Sequence, residues 1–116
     1  MKREIGDFLN DILVSAERAE RFLGDKNSEE LKEDSAEGIA IVRCLEIIGE
    51  AVKKIPDEVR ENYPELPWKR WAGMRDKLIH DYWSIDMEIV YESVKLRLPL
   101  LKKVVQKMLE DLNNKP

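Results

Sequence analysis

Cysteine and histidine each occur once in this 116-residue chain, as Cys44 and His80. A lone thiol cannot close an intramolecular disulfide, and one residue of each kind is too few for a structural zinc site. Long apolar runs are also missing. Stretches such as Ile39 to Val42 fall far short of the ~20 residues a membrane-spanning helix needs, and no basic leader precedes an apolar segment at Met1. A protein without membrane contact and with a cytoplasmic address is therefore expected. With 5 glycines and 5 prolines the chain is neither collagenous nor of low complexity, and 43% hydrophobic against 38% charged residues argues against disorder. No glycine-rich phosphate cradle, glycine-flanked serine elbow or cluster of His and carboxylate ligands is visible, which removes kinase-like, serine-hydrolase and metal-hydrolase sites. Nothing calls for a cofactor. Strand alternation and Asn-Gly or Asp-Gly hairpin signals are absent too.

What the chain does contain is helical periodicity over a length that supports one core, so a single domain spanning 1–116 is expected. Ile5, Phe8, Leu9, Ile12, Leu13, Ala16, Ala19, Phe22 and Leu23 follow helical spacing, and Gly24 stands ready as a left-handed C-cap. Ser28 to Leu31 offers a short helical turn. From Asp34 or Ser35 to Ile55 a second helix carries an apolar band broad enough for several neighbours, with Gly49 marking a close approach inside the protomer or across a dimer. Pro56, Pro64 and Pro67 leave room for a short helix over 57–62, after which a helix from Pro67 or Trp68 should run to between His80 and Trp83. Asp86 is an N-cap for the last helix, which Pro99 should kink or divide. The expected fold is all-α: an up-and-down bundle of four principal helices with one or two short extra ones.

Charge is uneven. Residues 1–50 hold seven basic and thirteen acidic side chains, whereas 51–116 hold thirteen and eleven. A polyanion should meet the second half, although such runs are more often the solvated faces of amphipathic helices. Cys44, on an apolar stripe, reads as a buried inert thiol. One cluster remains around the only histidine, Arg75-Asp76-Lys77-Leu78-Ile79-His80-Asp81-Tyr82. On a straight helix Arg75 and His80 would lie about 140° apart, so they converge only where the helix ends or distorts. Arg, His and Tyr at a helix end suit phosphate handling, since guanidinium holds phosphate oxygens bidentately and imidazole exchanges protons near neutrality. From spacing alone a lone histidine near a helix end is more often a helix cap or a satisfied core group, and Tyr82 reads as well as a packed aromatic.

The cluster resembles the signature of the HepT-like toxins of the HEPN superfamily: arginine, four residues, histidine, one residue, tyrosine, met here by Arg75, His80 and Tyr82. The surroundings look similar too, in family order: Arg43 to Ala51, Pro64-Glu65-Leu66-Pro67-Trp68, Ala72-Gly73-Met74-Arg75, Ile85-Asp86 and Leu98-Pro99. The likeness runs from about Ile5 to Leu109. It implies a metal-independent endoribonuclease, the toxic half of a toxin-antitoxin pair, acting on RNA such as tRNA. His80 would exchange protons and Arg75 would stabilise the crowded phosphate. A homodimer is implied as well, so that two copies of His80 divide the acid and base roles, or water supplies one. The implied antitoxin is a minimal nucleotidyltransferase that transfers AMP onto Tyr82, blocking the cleft and repelling RNA. Asp76, one helical turn before His80, would orient the imidazole or pair with Lys77 or Arg75. Lys69, Arg70 and Lys77 are candidates to track the RNA backbone, and Trp83 either stacks a base or covers the core. Two other readings stay open: a non-catalytic helical partner of a nucleotidyltransferase that binds a nucleotide, and a helical dimer whose motif only caps a helix.

Overall fold

The structure is a computed structural model that describes residues 3–81 and 84–114, and the side chains of residues 80 and 81 are not part of the description. In chain order it consists of α1 (Ile5–Leu23), α2 (Ala36–Lys53), α3 (Asp57–Arg60), α4 (Trp68–Ala72), α5 (Met74–Leu78), β1 (Ile79–Asp81), β2 (Ser84–Ile85) and α6 (Met87–Glu92). A π-helical turn (Ser93–Arg97) then leads into α7 (Leu98–Asn113). The architecture is the expected all-α bundle. No helix among the described residues is long and apolar enough to cross a membrane.

Local side-chain chemistry sets the helix ends. At the start of α1 the Asp7 carboxylate accepts the Glu4 backbone N–H at 2.9 Å, satisfying a donor that the first turn leaves open. At its end Gly24 has a positive φ of 55° as expected, yet its ψ of −132° is the mirror image of extended backbone and not the left-handed helical conformation. Only glycine occupies that region cheaply. Over 28–30 the chain makes a single turn, closed by the Glu30 N–H on the Asn27 carbonyl at 3.2 Å, and no helix continues from it. Asn27 and Glu30 exchange hydrogen bonds at 2.9 and 3.0 Å in the reciprocal pattern of a capping box. Ser35 then caps α2, its Oγ accepting the Gly38 N–H at 2.9 Å.

Helix α2 has the central place its broad band predicts, packing on α1, α4, α5 and α6. Gly49 explains how α4 comes so near: a Cβ there would sit 2.9 Å from the Trp71 carbonyl oxygen. The close approach is thus within the protomer. Leu9, Ile12 and Ala16 of α1, Ile41, Leu45 and Ile48 of α2, Trp71, and Leu98, Leu101 and Val105 of α7 form one buried core. Cys44 is buried with them, and loss of solvent pushes its thiol pKa up.

The third principal helix departs from expectation. It is divided at Gly73, and α5 stops at Leu78, short of His80, because Ile79 turns to extended backbone with φ −104° and ψ 109°. The chain then makes a two-stranded antiparallel hairpin in which Ile79 faces Ile85 and Asp81 faces Ser84. The sequence shows no strand signal here, since the pairing is held by contacts from outside the pattern. The Asp86 N–H returns to the Leu78 carbonyl at 2.8 Å, and the Ile85 N–H donates to Glu33 Oε1 at 3.0 Å, tying the hairpin to the connector before α2. Asp86 caps α6 as expected, accepting the Ile89 N–H at 3.1 Å. The disturbance expected from Pro99 is the π-helical turn just before it, where the Leu98 N–H reaches back to the Ser93 carbonyl. A widened turn absorbs both the missing proline N–H and the ring's demand for space.

Tyr63 ties the proline-rich segment to α7, its hydroxyl donating to Asp111 Oδ2. That bond, with some desolvation, pushes the phenol pKa up to about 12 from its ordinary value near 10. The folded state holds this proton more tightly than the unfolded state. Its stabilisation is therefore complete below about pH 10 and is lost as pH rises toward 12. We expect one of the three phenols to ionise only near pH 12 when phenolate absorbance is followed, and Tyr63→Phe to remove that late step. A spectrum unchanged by the substitution would refute the assignment.

Candidate functional site

The hairpin base, the α4–α5 junction and the polar face of α2 enclose an open cleft of about 550 Å³. Arg75 and Asp76 line it, together with Glu50 and Lys53 of α2 and the apolar Ala72, Ile79 and Ile85. Arg75 is 68% exposed, and its Nε stands 3.8 Å from Glu46 Oε2. Such a long, solvated ion pair leaves most of the five guanidinium donors available to a ligand. The four ionic residues lining the cleft balance, Glu50 and Asp76 against Lys53 and Arg75. This is not a strongly basic surface.

The early end of α5 removes the obstacle that straight-helix geometry raises. Between Arg75 and His80 the backbone leaves the helix at Ile79, so the 100° step per residue no longer sets their separation. His80 belongs to β1 and directly follows Ile79, which lines the cleft. Tyr82 and Trp83 lie outside the described residues. The same helix end alters where Asp76 stands relative to residue 80. It shares the cleft with Arg75, but residue 80 is in a strand, so the one-turn relation that would place Asp76 beneath the imidazole does not exist. Lys77 is exposed and is not among the residues lining this cleft, and neither are Lys69 and Arg70.

Three contributors were not singled out from sequence: Glu46, Glu50 and Lys53 of α2. They follow one another at spacings of four and three, a polar stripe opposite the apolar band of α2. That stripe reads as an ordinary solvated face until α5 is laid against it. The sequence carries the stripe, while the opposing Arg75 comes from packing.

A family description, "Ribonuclease HepT-like", matches residues 12–108. Among curated proteins, "Putative RNase MJ0125" of Methanocaldococcus jannaschii is 47% identical over 114 residues, covering 98% of each chain. "Probable ribonuclease HepT" of Thermococcus cleftensis is 41% identical over 108 residues, covering 93% of this chain and 98% of that one. No solved structure matches the chain.

Proposed function

We propose, proceeding from the fact that this chain belongs to the HepT-like ribonuclease family, that it cuts RNA at the Arg75 cleft through attack by the substrate's own 2'-hydroxyl. The observation that supports this reading is the break of α5 at Leu78: Arg75 projects from an open cleft, and His80 follows a cleft-lining residue in extended backbone. In the reaction the 2'-hydroxyl gives up its proton and its oxygen bonds to phosphorus. The bond from phosphorus to the 5'-oxygen breaks, and that oxygen takes up a proton. The product ends in a 2',3'-cyclic phosphate, which water opens to a 3'-phosphate. His80 carries protons in this scheme, and Arg75 meets the charge that builds on the non-bridging oxygens. One imidazole serves poorly as base and acid in the same step, so a homodimer supplies two copies of His80, or water fills one role.

In the cell the protein acts as a cytoplasmic toxin, with a minimal nucleotidyltransferase as its antitoxin. Transfer of AMP from ATP, in which the Tyr82 oxygen bonds to the α-phosphorus, pyrophosphate leaves and the phenolic proton is released, places a bulky anion two residues from His80, and the added charge opposes the phosphates of RNA. The balanced charge of the cleft gives little pull on bulk RNA. A structured substrate such as tRNA is therefore favoured over nonspecific cutting.

The test is incubation of unmodified protein, verified by intact mass, with total tRNA and with unstructured RNA in EDTA. Cleavage with cyclic or 3'-phosphate ends is expected. Intact RNA across both substrates, alongside a tight complex with the nucleotidyltransferase, would select the non-catalytic partner reading instead.

A further inference from the structure

Lys69 and Arg70 line a second open cleft, of about 510 Å³, formed between α3 and the start of α4. Its lining combines an apolar part with a charged one. Pro64, Pro67 and Trp68 provide the apolar part. Trp68 is 8% exposed, and its indole N–H is already committed to the Tyr63 carbonyl at 2.9 Å, so it adds a small patch of ring surface beside the two prolines. The charged part is Arg60, Lys69 and Arg70 against Asp57 and Glu61, an excess of one positive charge. Arg60 is paired with Asp57, whereas Lys69 and Arg70 have no ion pair among the described residues.

Arg60 and Arg70 each also keep a buried Nε without a hydrogen-bond partner. An unmet buried donor is costly. The cost is relieved when the guanidinium turns its Nε–Nη edge toward an acceptor, and phosphate oxygens match that fork. The Arg75 cleft has no such excess of positive charge. Helix α4 links the two sites: Lys69 lines the second cleft, while Ala72, three residues on and on the same helical face, lines the first. A five-residue helix is only roughly 7 Å long, so one strand reaches both.

We infer that this second cleft is a nucleotide subsite for the RNA strand whose scission occurs at Arg75: a base lies on Pro64, Pro67 and Trp68 while the neighbouring phosphate is held by Lys69 and Arg70. The inference rests on the ribonuclease reading and extends it to how the strand is gripped. The subsite takes part in binding and not in bond breaking.

A short fluorescein-labelled 2'-O-methyl RNA of mixed sequence tests it by anisotropy, because that strand lacks the attacking hydroxyl and stays whole. Replacing Lys69 and Arg70 together by alanine should weaken binding by about tenfold and flatten the salt dependence of log affinity by about 1–2. Replacing Lys103 and Lys107 of α7 together by alanine, an exposed change of equal charge, should do far less. If the Lys69/Arg70 double variant melts early, Lys69→Glu at its exposed position reads the same slope. Unchanged affinity and slope in a folded variant overturn the inference, as does an equal loss in the Lys103/Lys107 double variant. So does loss of nucleotidyltransferase binding with RNA binding intact, which would make the cleft a protein contact. In each of these cases, continued cleavage of ordinary RNA by the wild type shows that the ribonuclease reading itself survives. A wild type that neither binds the probe nor cuts ordinary RNA sinks both.

Discussion

Arg75→Ala is expected to slow RNA cleavage by about 10²–10³-fold, and His80→Ala by about 10²–10⁴-fold. The first figure follows from removing a preorganised cation that faces charge developing on phosphate, the second from removing the group that moves protons. Arg75 is well suited to the experiment because its side chain is 68% exposed and its contact with Glu46 is long. Truncating it should cost no more than about 0.5 kcal/mol of stability, as for other surface changes. Loss of activity with an unaltered melting curve is then a loss of function and not of fold. Arg75→Lys sharpens the reading: the charge stays but the planar fork is gone, so activity should fall between wild type and Arg75→Ala. If Arg75→Ala cuts RNA at the wild-type rate, the cleft is not where scission occurs.

The second large effect concerns stability. Trp71→Ala should cost about 3–5 kcal/mol, the range for deleting a large buried aromatic and leaving part of its volume unfilled. Trp71 is 1% exposed, and its carbonyl oxygen faces the position where Gly49 leaves out a Cβ. Side chain and backbone of this one residue therefore seat α4 on α2. A domain of this size holds only about 5–15 kcal/mol in total. At roughly 3–6 °C per kcal/mol, the melting midpoint should fall by roughly 9–30 °C in a thermal scan. A fall of a degree or two would show that the core closes over the gap and that α4 is held by other contacts. Because Ala72 and Arg75 follow directly, a loosened α4 should also reduce cleavage at temperatures where the variant is still folded.

Much of this was legible along the chain. The α1 and α2 stripes, the start of α2 near Ser35, the cap at Asp86, and the disturbance ahead of Pro99 all depend on side chains acting on backbone within a few residues. Gly49 could be recognised as a point of close approach, though not what approaches it: the Trp71 carbonyl belongs to a segment 22 positions away. The break at Gly73, the stop at Leu78 and the hairpin were not legible. The stop at Leu78 and the hairpin are stabilised by remote groups, the Glu33 carboxylate and the Asp86 N–H among them, and no periodicity records those partners. The motif residues Arg75, His80 and Tyr82 could be picked out by resemblance, but the acids and the lysine of α2 that share the Arg75 cleft could not.

Helix content, the buried faces and the helix ends follow from forces that act over one or two turns, so the order of residues is enough to specify them. Which charges confront one another follows from how those helices pack. Glu46 and Arg75 are 29 positions apart and meet only because an absent Cβ at Gly49 lets α4 settle against α2. The division of basic residues between two clefts arises in the same way. Lys69 and Arg70 fall to one side and Arg75 to the other because the chain is interrupted at Gly73 and again at Leu78, where long-range hydrogen bonds replace the next helical turn.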